Sequence, residues 1–153
     1  MNNEDVKALY SKIITEDEAE ELISAAEKLT RDVYSFAEDI QVIMNKTISI
    51  EVQKVITDFF KLNSLNMFDT VEFHKGLDSL IQSLQELKRV DISLAFKPSA
   101  QFIQELALWF NNNLKEKIIL NLNFGKEIIG GAQLNFMGKL YDYSLKKTLE
   151  ENK

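Results

Sequence analysis

Glu127-Ile128-Ile129-Gly130-Gly131-Ala132-Gln133-Leu134-Asn135-Phe136, then Met137-Gly138-Lys139, then Leu140-Tyr141-Asp142-Tyr143-Ser144-Leu145-Lys146-Lys147-Thr148-Leu149, is the stretch that decides the fold. It reads as strand, double glycine, strand, tight turn, short strand and helix. Ala132, Leu134 and Phe136 alternate with polar residues, so Ile129 to Phe136 is expected to form one strand with one apolar face. Glycine inside a strand weakens it and marks a bulge, a bend or a close backbone approach. Gly130-Gly131 is accordingly read as a bulge, which is compatible with a partner contact. It is not a phosphate loop: the spacing is not GxGxxG, and a strand rather than a helix follows. Asp142 is a candidate N-cap for a last helix carrying Leu145 and Leu149.

Upstream of this stretch the same two-residue period recurs. Ile92, Leu94 and Phe96 alternate with Ser93, Ala95 and Lys97, which predicts a strand from Val90 to Phe96. Pro98 and Ser99 open a helix, since proline is tolerated in a first turn. Its apolar face is Phe102, Ile103, Leu106, Ala107 and Phe110, with Trp109 a further candidate. Ile118, Leu120, Leu122 and Phe124 give a second strand, and the chain turns through Gly125. The order is β-α-β-β-α. The first two strands suit a parallel crossover, and the hairpin adds an antiparallel strand.

The part before Val90 differs in kind. Up to Arg89 the only glycine or proline is Gly76. Val6, Leu9, Tyr10 and Ile13 make a short helical face. Thr15-Glu16-Asp17-Glu18 has the capping-box pattern. Ala19, Leu22, Ala26, Leu29, Val33, Phe36, Ile40 and Ile43 then recur at steps of three and four, which predicts one long helix. Ile23 and Ala37 widen the seam, favouring a bundle helix over a coiled-coil stalk. Asn45-Lys46-Thr47 is the expected break. A helix from about Ser49 buries Val52, Val55, Ile56, Phe59 and Phe60, and Asn63 to Asn66 is a loop. Asp69-Thr70-Val71-Glu72 starts another helix, with Phe73, Leu77, Leu80, Ile81, Leu84 and Leu87 on its face. Gly76 costs that helix about 1 kcal/mol against alanine, so it is read as a close helix contact. The fold class is therefore α+β: a helical bundle over residues 1–89, then a small β-α-β-β-α domain over residues 90–153.

Composition excludes several functions. The 153 residues suffice for a core without disulfide or metal staples, and there are no cysteines for thiol chemistry. The net charge of −6 and the lack of a basic stripe argue against nucleic acid. Glu16 to Glu21 is an acidic run at a helix start, where carboxylates suit the dipole. No second cluster completes a carboxylate metal site. His74 has no local partner to position it as a base, and Asp142, Ser144 and His74 have no triad spacing. No metal or cofactor is expected. No apolar run approaches the roughly 20 residues of a membrane span, and the polar Met1-Asn2-Asn3-Glu4-Asp5 is unlike a signal peptide.

Ile128-Ile129-Gly130-Gly131, the strand and turn after it, and Asp142-Tyr143-Ser144-Leu145 before a basic helix resemble the C-terminal signature of the F-type ATP synthase delta subunit family. The mitochondrial counterpart is the oligomycin-sensitivity-conferring protein. Gly130, Gly131, Asp142 and Ser144 are then structural signature residues. Lys7-Ala8-Leu9-Tyr10 is similar to the family's opening helix, and Ile48-Ser49-Ile50-Glu51-Val52-Gln53-Lys54 to its Ile-Ser-x-Glu-x-x-Lys turn. The helical part is shorter than the family's six-helix bundle. The resemblance implies a non-catalytic peripheral-stalk (stator) subunit in rotary ATP synthesis and proton transport. Its partners would be the N-terminal segments of the alpha subunits and the b-type stalk helices. Leu9, Tyr10, Phe59 and Phe60 are the candidate partner-binding residues. The location implied is cytoplasmic, at the inner face of the cell membrane through partner subunits. Two alternatives stand beside it. One is the E-type stalk subunit of an archaeal or vacuolar-type ATPase or a flagellar export stator, which would use the Ala19 to Ile43 seam as a coiled coil. The other is a small enzyme or ligand-binding domain, which would need a pocket with convergent polar groups.

Overall fold

Helical periodicity becomes helices and two-residue alternation becomes a sheet in the computed structural model, which describes residues 12–36, 38–114, 116–125 and 128–145. In chain order the elements are α1 (Glu16–Ser35), α2 (Ile40–Thr47), α3 (Ile50–Leu62), α4 (Thr70–Gln85), β1 (Lys88–Leu94), α5 (Ala100–Leu114), β2 (Ile118–Phe124), β3 (Ala132–Phe136) and β4 (Lys139–Asp142). The class is α+β. The chain divides into two compact units: residues 1–13 with 18–86, and residues 14–17 with 87–153.

In the helical unit α1 buries Ala19, Leu22, Ala26 and Leu29. The single long helix expected from the seam is not formed. Among the described residues the last helical bond of α1 runs from Phe36 N–H to the Asp32 carbonyl, and Phe36 is 55% exposed. Asp39 then restarts the chain as the N-cap of α2, accepting a hydrogen bond from Gln41 N–H at 2.8 Å. A short polar side chain that satisfies a free helix N–H competes with helix continuation. The expected break at Asn45 to Thr47 is also displaced: α2 runs through Thr47, and the turn falls at Ile48 and Ser49. Ser49 caps α3, with its Oγ accepting from Val52 N–H at 3.3 Å.

Aromatic packing joins α3 to α4. Phe60 and Phe73 are fully buried, with ring centroids 5.4 Å apart. Gly76 is the close contact expected of it: a Cβ there would lie 2.3 Å from Phe60 Cζ. At the start of α4, Asp69 Oδ1 accepts from Glu72 N–H at 2.9 Å. Glu72 reaches back past the cap to the Asn66 N–H at 2.6 Å, a longer loop than the usual box.

The second unit is a four-stranded sheet in the order β2-β1-β3-β4. β1 and β2 are parallel, and β1-β3 and β3-β4 are antiparallel. Val90, Ile92, Leu94, Ile118 and Leu120 form its core with Ala107 and Phe110 of α5, and Ala132, Leu134 and Phe136 pack against them. β1 starts and ends two residues before the expected Val90 to Phe96. The chain bends at Ala95, whose N–H bonds the Gly131 carbonyl, so Phe96 lies outside the strand. The short strand read after the tight turn is Lys139–Asp142, which pairs with β3 and makes the fourth strand that the order β-α-β-β-α omits. Ser99 caps α5 through Phe102 N–H, with Pro98 just outside the helix.

The sheet has a further member that alternation did not reveal. Leu120 N–H donates to the Ile14 carbonyl at 2.8 Å, and Thr15 bridges Leu120 in parallel. Beside this contact Arg89 Nε donates to Glu16 Oε1 at 2.7 Å.

Candidate partner-binding surfaces

The signature residues form a tight crossing rather than a ligand loop. Gly130 and Gly131 have φ of +69° and +78°, a region that side-chain-bearing residues rarely occupy. They precede β3 rather than interrupting a strand beginning at Ile129, which corrects the expected bulge. Positive φ at both positions aims their backbone at residues 143–145. Tyr143 N–H donates to the Ala132 carbonyl at 2.9 Å, and Leu145 N–H to the Gly130 carbonyl at 3.2 Å. A Cβ on Gly131 would lie 2.2 Å from the Tyr143 carbonyl oxygen.

Asp142 and Ser144 hold the other side of this crossing. Asp142 Oδ1 accepts from Ser144 N–H at 2.8 Å, and its Oδ2 accepts from Gln133 Nε2 at 3.0 Å. Ser144 is buried. Asp142 thus orders the turn into Leu145, where a helix begins. Leu149 and the rest of that expected helix lie outside the described residues.

Part of the exposed apolar surface lies around β3 and β4, where Ile129, Leu140, Tyr141 and Tyr143 are exposed, and another part lies on α5. Between Ala100 and Leu114 its only charged residue is Glu105. Ala107 and Phe110 face the sheet, while Leu108 and Trp109 stay 61% and 58% exposed. Phe102 lies two turns before Trp109 on the same stripe, and the Phe96 ring meets it edge-on at 5.8 Å. Gln101, Gln104 and Glu105 share the outer side of α5 with these apolar residues. The sequence reading placed Trp109 with the core because its angular position borders the buried face.

The candidate residues of the helical part fare differently. Phe59 and Phe60 are buried, 4% and 0% exposed, so they support the unit from within and present no surface to a partner. Leu9 and Tyr10 lie outside the described residues. His74 is half-buried on α4, stacked on Tyr34 with ring centroids 4.0 Å apart. Neither of its ring nitrogens has a hydrogen-bond partner among the described residues. Among those residues no group of three or more His, Cys, Asp or Glu is placed to hold a metal ion, and no helix is long and apolar enough to cross a membrane.

The architecture defines an α+β protein whose conspicuous features are apolar surface and a tightly crossed C-terminal hairpin. The family model for the ATP synthase delta (OSCP) subunit matches residues 2–153, and the chain belongs to that family. It is the family of a peripheral-stalk subunit of F-type ATP synthase, whose role is structural. No individual curated protein gives a significant match.

Proposed function

We propose that this chain is the stator connector between the catalytic head of an F-type ATP synthase and its membrane-anchored b-type stalk helices. It acts at the cytoplasmic face of the membrane, held there by its partner subunits. The helical unit meets the N-terminal segments of the alpha subunits. The second unit holds the stalk helices. The observation that carries this reading is the outer face of α5, where Leu108, Trp109 and Phe102 present apolar surface on a helix with one charged residue. Helix-in-groove and helix-on-helix contacts need such anchors and no reactive groups.

Capture of the b subunit and of an alpha N-terminal segment by the purified full chain tests the assignment. Both are expected to bind. Trp109→Gln with Leu108→Gln is expected to weaken b-subunit binding by about thirtyfold or more, the scale of losing a buried aromatic anchor. Its melting temperature should stay close to the parent's, because neither residue is buried in the chain itself. Failure to capture either partner refutes the assignment.

α1 ends at Ser35, and the seam needed for an E-type coiled coil stops there. No observation favours that alternative over the family assignment.

A further inference from the structure

The turn between β3 and β4 carries an unexpected residue. Phe136 and Lys139 are paired across it, so Met137 and Gly138 alone form the loop. Both have positive φ, +51° and +77°, as a two-residue type I′ hairpin requires. Glycine, asparagine and aspartate ordinarily fill such positions, because a Cβ is crowded in the left-handed region. Methionine offers neither the missing Cβ of glycine nor the local hydrogen bond of asparagine. Met137 returns nothing to the core either, since it is 73% exposed. The tip stands in open space: a Cβ built on Gly138 would meet no atom within 4 Å. Positions that break a local rule with no packing gain are commonly functional ones.

The chemistry available at this tip is that of the thioether. Its sulfur reacts with oxidants without any prior ionisation, so access controls the rate. The other methionines differ in access. Met44 on α2 is 1% exposed, and Met67, in the turn before α4, is half-buried. Met1 lies outside the described residues. The chain has no cysteine, so no thiol of its own competes for the oxidant.

We propose that Met137 is a surface oxidation site, converted to the sulfoxide by hydrogen peroxide while the fold stays intact. A sulfur lone pair attacks one peroxide oxygen. The S–O bond forms as the O–O bond breaks, and the proton on the transferred oxygen passes to the departing hydroxide, which leaves as water. Sulfur gives up two electrons and the peroxide takes them. The product sets a polar, chiral group where an apolar one stood. At a buried position such as Met44 that change disrupts packing. At Met137 it alters only what the hairpin tip shows to solvent. The site holds whether or not the chain is a stator connector, and capture of stalk or head partners does not enter its test.

The test treats the full chain with dilute hydrogen peroxide and follows oxygen uptake by mass spectrometry. Cleavage after lysine and arginine puts the four methionines on four peptides: Met1–Lys7, Asp32–Lys46, Leu62–Lys75 and Glu127–Lys139. Glu127–Lys139 is expected to gain its oxygen about tenfold faster or more than Asp32–Lys46, because a buried thioether reacts only from opened molecules. Leu62–Lys75 should fall between them. In urea the three rates should converge, since the ranking comes from the fold. Circular dichroism and the melting temperature of the chain oxidised at Met137 alone should match the parent's. Met137→Asn supplies a second arm. Asparagine tolerates positive φ, so the variant should fold and melt no lower than the parent, with the rates at Met44 and Met67 unchanged.

Equal rates at Met137 and Met44 in the folded chain would overturn the proposal, as would a faster gain at Met67. A ranking that persists in urea would overturn it too, because local sequence and not access would then set the order. So would a loss of structure on oxidation at Met137, or a Met137→Asn variant that fails to fold, since either would show that this side chain packs within the chain.

Discussion

A methyl group on Gly131 would strike the Tyr143 carbonyl oxygen at 2.2 Å, and the backbone there sits at φ +78°. A main-chain oxygen has nowhere to go without breaking the β3-β4 crossing. Gly131→Ala is therefore expected to cost roughly 3–5 kcal/mol: 1–2 from the left-handed conformation and the rest from displaced backbone. At Gly130 the obstacle is the Leu145 side chain, which is half exposed and free to swing. Gly130→Ala should cost roughly 1–2 kcal/mol. Urea midpoints of the two variants check the ranking, and equal losses would contradict the close-approach account. Their importance was legible in the sequence, because adjacent glycines beside a strand demand a reason. Their sign of φ was not, because it depends on where residues 143–145 return. His74 gives the other residue-scale expectation. Its buried ring nitrogens lack partners among the described residues, and its ring stacks on Tyr34. His74→Phe keeps the stacking and removes the partnerless polar atoms, so it should stabilise by about 1 kcal/mol. His74→Ala should destabilise by a similar amount. A loss of stability in His74→Phe, measured by thermal melts, would show that the imidazole has a polar partner.

Helices and strands were legible wherever periodicity and burial agree, as in α3, α4 and the Val90-Ile92-Leu94 face of β1. Their limits were less so. The spacing Leu29, Val33, Phe36, Ile40, Ile43 runs through the interruption between α1 and α2 without a change of step. No glycine or proline marks the place. Only Asp39 does, and its role is visible once its carboxylate is seen on the Gln41 N–H. Asp39→Ala should cost about 1 kcal/mol, the usual loss for an N-cap. The loss should appear as faster amide exchange in the first turn of α2. Unchanged exchange there would mean that tertiary packing alone sets the interruption. In α5 the misleading signal was hydrophobicity itself. Trp109 is a candidate for the core face in sequence, yet the sheet takes only Ala107, Phe110 and their half-buried neighbours. The excess apolar residues are what a stalk partner would cover.

At the scale of the whole chain, the two compact units are not two consecutive pieces of sequence. Residues 14–17 belong with 87–153, through the Ile14 carbonyl on Leu120 N–H, the Thr15 bridge and the Glu16–Arg89 pair. Four residues that read as a helix start carry no strand alternation of their own, so their sheet role was hidden. The consequence is that β2 is not a bare edge where Ile14 meets it. An unpaired edge N–H exchanges with solvent and invites another chain. In the intact protein the Leu120 amide is therefore expected to exchange slowly. In a fragment spanning 87–153 it should exchange about tenfold faster or more, because its acceptor is gone and a net hydrogen bond is worth about 1 kcal/mol or somewhat more. Glu16→Gln in the full chain should have an intermediate effect. The Glu16 and Arg89 side chains are only 21% and 31% exposed, and losing the charge weakens the pair without removing the Ile14 carbonyl. Hydrogen exchange followed by NMR resolves the three cases at this one amide. Equal protection in the fragment and the full chain would mean that residues 14–17 do not close the sheet, and that the second unit is complete from Leu87 onward.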